Sequence, residues 1–149
     1  MALVVDASVG LKWVLQEPDS PQAERLARSD VDLLIPDFWL NEACNVLWLR
    51  VRRKLFTPKE ARDALMLLRD QIEPTPTADL DLHDIALDIG LAISHSPYDT
   101  LYVAFALAMA AEKVIVADTA FVAAMRTHPD PALAGIVLPL ATWAAGAEA

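Results

Sequence analysis

Residues 3–8, with the sequence LVVDAS, begin with three apolar side chains that lead directly to Asp6. A short run of Val and Leu that ends at a polar residue is typical of a strand buried in a sheet. We therefore predict a strand over residues 3–6, with Ser8 capping a short helix over residues 9–15. The Asp6 carboxylate is then expected at an edge of the sheet, where loops lead into helices.

The rest of the chain alternates apolar runs with helical patterns. Further strands are predicted at residues 32–35, 114–117 and 136–138. Helices are predicted at residues 22–28, 37–54, 58–70, 80–89, 96–111 and 119–126, from apolar spacing and from start signals such as the Thr57, Pro58 and Glu60 capping box. Residues 73–77 are predicted as a loop or edge strand and residues 129–131 as a loop, while the tail from residue 141 is uninformative. Short apolar strands between helices predict a three-layer α/β/α sandwich with a central parallel sheet.

Composition narrows the class of protein. The chain has 149 residues, of which 55% are hydrophobic, and carries a formal net charge of −9. A chain of this length is expected to form one domain, over residues 1–149. We also expect a cytoplasmic location, because no apolar run approaches the roughly 18 residues of a membrane span. The single cysteine, Cys44, is interpreted as a core residue. Four glycines support neither a P-loop nor a GxGxxG nucleotide site.

Four acidic residues, Asp6, Glu42, Asp99 and Asp118, lie where predicted strands end or helices begin. Taken singly, each has a structural explanation, since Asp6 and Asp118 can cap helices, Asp99 can belong to a capping box, and Glu42 can face solvent. In parallel α/β sheets, however, such junctions meet at one edge. Four carboxylates in one pocket repel one another and require a compensating cation, and oxygen donors suit Mg²⁺ or Mn²⁺.

Four segments are similar to one known family. They are Asp6 with Ala7 and Ser8, Pro36 followed by Glu42 with Asn45, Val46 and Leu47, residues 96–106 around Tyr98, Asp99, Thr100, Leu101 and Tyr102, and Val116, Ala117 and Asp118 with Phe121. The chain resembles the PIN-domain ribonucleases over nearly its whole length. Within that family the resemblance is to the VapC toxins of prokaryotic toxin–antitoxin modules.

This resemblance implies a function. Asp6, Glu42, Asp99 and Asp118 would be the catalytic and metal-binding set, with Ser8 and Asn45 as polar supports. The implied reaction is Mg²⁺- or Mn²⁺-dependent endonucleolytic cleavage of RNA by a protein that forms homodimers and is neutralised by a cognate VapB-type antitoxin. Many relatives carry Thr or Ser where this chain has Val116. Either Thr119 supplies that hydroxyl or a second metal ion is held loosely.

Basic and imidazole side chains lie outside the acidic set. We interpret five residues as candidates for RNA contact, with the helix dipole as the alternative explanation for the cluster at positions 50–54. These are Lys12, Arg50, Arg52, Arg53 and Lys54. The histidines, His83, His95 and His128, show no ligand spacing and are interpreted as surface or loop residues outside the mechanism.

Two other functions compete with a metal-dependent ribonuclease. The chain could be a non-catalytic PIN-like binding or regulatory module with a degenerate metal site, although all four carboxylates are present. A haloacid-dehalogenase-like phosphatase also begins with a strand ending in Asp, but it needs a second Asp where this chain has Ser8. Metal-dependent RNA cleavage would separate the first function from the other two.

Overall fold

The central sheet of the protein is parallel throughout. The structure, a computed structural model, describes residues 1–148. In that part of the chain the strands are β1 (Ala2–Val5), β2 (Asp32–Leu34), β3 (Lys113–Val116) and β4 (Val137–Pro139), in the order β2-β1-β3-β4. The predicted α/β sandwich with a parallel sheet is therefore confirmed.

Helices connect the strands and cover the sheet. They are α1 (Ala7–Gly10), α2 (Ser20–Ala27), α3 (Trp39–Arg52), α4 (Pro58–Gln71), α5 (His83–Ile93), α6 (Pro97–Ala108), α7 (Thr119–Met125), α8 (Pro131–Ala134) and α9 (Leu140–Glu148). No helix in residues 1–148 combines the length and hydrophobicity that crossing a membrane requires.

The two inner strands bring distant segments to one edge of the sheet. β1 lies between β2 and β3, and Val5 pairs with Ile115. Val4, Val5 and Ile115 have no exposed surface, as expected for strands that are covered on both faces. The Asp6 amide then donates to the Ile115 carbonyl at 3.2 Å. Because β1 and β3 end at the same level, the residues that follow them share this edge.

The structure corrects several local predictions. Asp6, not Ser8, caps the first helix, which ends at Gly10 and continues as a 3-10 turn. Gly90 lies inside α5 and is buried. A Cβ there would lie 2.8 Å from the backbone oxygen of His95, so glycine allows a close approach of the two segments. α5 ends instead at Ser94, which adopts a left-handed conformation with φ of 53°.

Two further differences concern segments predicted to be irregular or apolar. The loop predicted at residues 129–131 runs into α8, and the tail forms α9, which packs against α2. Cys44 is exposed rather than buried. The inward positions of α3 are Trp39, Ala43 and Leu47, spaced four residues apart, so Cys44 falls about 100° away from them.

A close contact between Gly10 and Trp39 joins α1 to α3. Trp39 is fully buried, and a Cβ built at Gly10 would overlap its ring, lying 2.9 Å from Cε2. Glycine is therefore required here for space rather than for backbone conformation. The contact matters for the site because α1 follows Asp6 and α3 carries Glu42.

We predict that Gly10→Ala lowers the free energy of unfolding by about 1–3 kcal/mol, the usual cost of overpacking. Urea denaturation measures this change. Gly146→Ala is the matched control, because nothing lies within 4 Å of its added Cβ and alanine favours a helix. Equal stability of the Gly10 variant and the parent would contradict the packing explanation.

Candidate metal centre

The structure brings the four predicted carboxylates together around Asp99. Asp6 follows β1, Asp118 follows β3, and Glu42 and Asp99 lie in the first turns of α3 and α6. The charge of Asp99 raises the pKa of both Asp6 and Glu42. A carboxylate oxygen of Asp99 also lies within 4.8 Å of one from Asp118. Asp99 is thus the common neighbour of the other three.

Asp6 is the most deeply placed of these groups, with only 9% of its surface exposed. Burial raises the pKa of Asp6 from 3.8 to about 7, and the charges of Glu42 and Asp99 add to the effect. Its Oδ1 accepts hydrogen bonds from Ser8 Oγ at 2.6 Å and from the Val9 amide at 3.1 Å, which oppose that rise. In the absence of a cation, Asp6 is therefore protonated for much of the time near neutral pH.

Ser8 links the two central strand ends. Its hydroxyl donates to Asp6 Oδ1 and accepts from the Ala117 amide at 3.2 Å. This contact holds the end of β1 against the residue that precedes Asp118. Val116 is fully buried in β3, and Thr119, the predicted source of a hydroxyl, is exposed at the start of α7. In this chain Ser8 supplies the hydroxyl between the two strand ends.

Helix capping, the structural alternative for Asp6 and Asp118, is also observed. Asp6 caps α1, and Asp118 Oδ1 accepts from the Ala120 amide at 2.8 Å at the start of α7. Both caps use Oδ1 among the described hydrogen bonds, so Oδ2 of each carboxylate is left for a ligand. Capping orients these side chains and does not exclude a second role.

Glu42, which is half-buried, and Tyr102, which is buried, form a polar pair at the side of the site. Burial raises the pKa of Glu42; the nearby Tyr102 hydroxyl lowers it, and the charge of Asp99 raises it further. The pKa of Tyr102 is also raised, by burial first and then by the charges of Glu42 and Asp6. Although the Tyr102 hydroxyl lies near the Glu42 carboxylate and the Ala7 amide, neither contact has the geometry of a regular hydrogen bond in the described residues. A buried phenol is thus directed at the carboxylates without being satisfied by them.

His95, which the sequence placed outside the mechanism, lies in the site. Its Nε2 is 2.7 Å from Asp99 Oδ2, and its ring stacks on Phe121 with centroids 5.1 Å apart and an angle of 18°. Half-buried in the loop before α6, it precedes the Ser96 cap directly. His95 stands four residues before Asp99, a spacing that could have drawn attention to it.

A divalent cation fits these residues. His95, Asp99 and Asp118 each offer one ligand atom, and these atoms lie within 4.8 Å of one another. The predicted ligands Asp6 and Glu42 do not belong to this group in the described residues. Carboxylate oxygens suit Mg²⁺ and Mn²⁺, and an imidazole nitrogen is accepted more readily by transition metals. The repelling carboxylates and the unsatisfied Tyr102 hydroxyl are features that a cation with its bound water would compensate.

Comparison with known proteins places the chain in a family. The PIN domain family matches residues 3–126. The chain belongs to the PIN domain family. PIN domains are generally metal-dependent nucleases, and they commonly bind divalent metals. The fold is similar to the crystal structure of PAE2754 from Pyrobaculum aerophilum, with a TM-score of 0.68 and 16% identity over 98% of this chain and 88% of that one. No curated protein matches the sequence.

Two clefts flank the carboxylates of this PIN domain. The first, which we call the amide cleft, has a volume of about 800 Å³ and includes Glu42, Asn41 and Asn45 in its lining. The second, the basic cleft, has a volume of about 470 Å³ and includes Asp118 and Ser8. Val46 lines both clefts and separates them.

The predicted RNA-contact residues differ in their positions. Arg50 and Arg53 line the basic cleft. Lys12 also lines it but is buried, with its charge paired to Glu17 at 3.2 Å and Asp19 at 2.8 Å. The guanidinium of Arg52 instead lies 5.1 Å from the centre of the Trp48 ring. Lys54 is exposed just beyond α3.

We predict that Asp6→Asn stabilises the metal-free protein at alkaline pH. The raised pKa means that Asp6 in the folded parent holds its proton more tightly than in the unfolded state. The free energy of unfolding therefore falls as the pH rises from about 4 to about 7, by up to about 4 kcal/mol. Asparagine removes this loss and can still accept the bonds from Ser8 and Val9. Thermal denaturation with a chelator should show a higher Tm for the variant at pH 8 and a smaller difference at pH 5. A variant less stable than the parent at pH 8 would contradict the prediction.

Proposed function

We propose that this PIN domain is a VapC-type endoribonuclease that hydrolyses RNA phosphodiester bonds with Mg²⁺ or Mn²⁺ and acts as the toxin of a toxin–antitoxin module. The observation that carries the proposal is the group of carboxylates around Asp99, in which two members have raised pKa values. RNA is the proposed substrate because the segments around Asp6, Asp99 and Asp118 resemble those of VapC toxins.

The residues have separate roles in this proposal. Asp99, Asp118 and His95 hold a cation, with Asp6 and Glu42 completing the negative field around it. When bound, such an ion polarises the scissile phosphodiester and activates a water molecule. Ser8 keeps Asp6 and the Asp118 loop at a fixed separation through its two hydrogen bonds. The buried Tyr102 hydroxyl can donate to Glu42 or to an ordered water once a ligand is present.

Arg50 and Arg53 account for how an acidic protein can hold RNA. With a net charge of −9 the molecule as a whole repels a phosphate backbone. Both arginines line the same cleft as Asp118, so they place positive charge beside the carboxylates. We assign them to the phosphates that flank the scissile one.

Protein partners are part of the same proposal. A VapC-type toxin would form a homodimer and bind a VapB-type antitoxin. Large apolar side chains are exposed on α4 and α5, among them Met66, Leu67 and Leu91. We assign these exposed side chains to contacts with such partners.

We predict that the purified protein, free of metal, cleaves single-stranded RNA only after addition of Mg²⁺ or Mn²⁺, and that Asp99→Asn lowers the rate at least about 100-fold, the order of effect seen when transition-state charge stabilisation is lost. Calorimetric titration with Mn²⁺ should show weakened binding in the same variant. Asp130→Asn is the control, because Asp130 caps α8 away from the carboxylates.

The outcomes separate the competing functions. If Asp99→Asn cuts RNA as fast as the parent, the assigned site is wrong. If the parent neither binds Mn²⁺ nor cuts any RNA, the chain is a non-catalytic PIN-like module.

We predict that Arg50→Ala and Arg53→Ala raise KM for RNA several-fold and each reduce the slope of log affinity against log salt by about 1, the signature of a lost phosphate contact. Arg52→Ala is matched in charge and position on the chain, but its guanidinium lies over Trp48. Fluorescence anisotropy across a salt series measures the slopes. The same loss in all three variants would point to a general charge effect instead of a basic cleft.

A further inference from the structure

The amide cleft is unsuited to a phosphate and suited to a neutral, planar group. It lies between the N-terminal half of α3, the start of α5 and the start of α6. None of its described lining residues is Lys or Arg, whereas Glu42 and Asp81 are both acidic. An anionic phosphate would therefore be repelled. The apolar part of the lining includes Phe38, Val46 and Leu101.

Two amide side chains lie along one wall of the cleft. Asn41 and Asn45 are exposed and one helical turn apart on α3, so they share a face of the helix. Each amide offers two donor hydrogens and an acceptor oxygen. This pattern complements the edge of a nucleobase, which also carries both donors and acceptors.

Tyr98 provides an aromatic face at the mouth of the cleft. It is 78% exposed, although it lies in the first turn of α6 beside the site residue Asp99. Solvent-exposed tyrosines beside a nuclease site can serve as platforms on which bases stack. Because Tyr98 and Asp99 lie in the same turn of α6, the helix fixes the position of one relative to the other.

The position of the cleft relative to the carboxylates suits a nucleic acid strand. Glu42 lines the amide cleft and Asp118 lines the basic cleft, so the carboxylate group lies between the two. A strand with its scissile phosphodiester at Asp99 can direct one phosphate towards Arg50 and Arg53. The base on the other side of the cleaved bond then reaches the amide cleft.

We propose that the amide cleft binds one unpaired nucleobase of the substrate, next to the cleaved phosphodiester. Tyr98 stacks on the face of this base, and Asn41 and Asn45 hydrogen-bond to its edge. The inference rests on the proposed ribonuclease function and assigns to it the residues that select sequence. The competing occupant is an apolar segment of a partner protein.

Photo-crosslinking distinguishes these occupants without depending on cleavage. A short single-stranded RNA that carries 5-iodouridine at successive positions is bound to the full-length protein in Ca²⁺ and irradiated, and the crosslinked peptide is identified by mass spectrometry. We expect one position to crosslink strongly to Tyr98 or to the peptide with Asn41 and Asn45. Crosslinks confined to other surfaces, or none at any position, would overturn the proposal and favour the protein partner.

Variants supply the second measurement. Tyr98→Ala should weaken binding of the same RNA about 10-fold, because the aromatic face on which the base stacks is lost. Tyr98→Phe should recover most of that loss, because it keeps the stacking face. Asn45→Ala should alter which nucleotide is preferred beside the cut. Leu107→Ala, near the other end of α6 and outside the lining of both clefts, is the control.

Failure of this inference can be told apart from failure of the proposed function. RNA cleavage with unchanged affinity and unchanged sequence preference in the Tyr98 and Asn45 variants would remove the base site and leave the ribonuclease in place. A crosslink to Tyr98 in a protein that cuts no RNA would keep the base site and remove the catalytic assignment.

Discussion

The parallel pairing of β1 with β3 is the constraint on which the site depends. Val5 lies opposite Ile115, so the residues that follow both strands emerge at the same edge of the sheet. The Ser8 hydroxyl then joins Asp6 to the Ala117 amide and closes this edge. Since α1 and α7 begin immediately after the two strands, the carboxylates that follow β1 and β3 are held by regular structure on both sides.

The placement of several carboxylates at this edge destabilises the folded state. Burial and mutual repulsion raise the pKa of Asp6 and of Glu42, and the Tyr102 hydroxyl is buried without a regular hydrogen bond. Local conflicts of this kind are concentrated at functional sites, where a ligand resolves them. A cation that binds only the folded state would add to stability in proportion to the logarithm of its concentration. Stability and metal binding are therefore linked at Asp6.

The sequence predicted what local patterns determine and missed what packing determines. The strands were recognisable from apolar runs, and the capping box of Thr57 and Glu60 forms as predicted. The spacing of His95 and Asp99 was visible in the sequence, but whether the imidazole lies in the site depends on how closely α5 approaches the start of α6. Gly90 permits that approach, and the left-handed Ser94 ends α5 so that the chain can turn into it. Neither role leaves a periodic signal in the sequence.

Helix α3 contributes different side chains to the two clefts. Positions 41, 42 and 45 line the amide cleft, positions 49, 50 and 53 line the basic cleft, and Val46 contributes to both. One helix therefore supplies amides, a carboxylate and guanidinium groups in an order that follows its axis, with the inward positions Trp39, Ala43 and Leu47 holding it against the core. Because Trp39 packs on Gly10, the helix that follows Asp6 also sets the depth of α3. A displacement at this contact would move Glu42, the amides and the arginines together, so core packing governs both the charge of the site and the surfaces beside it.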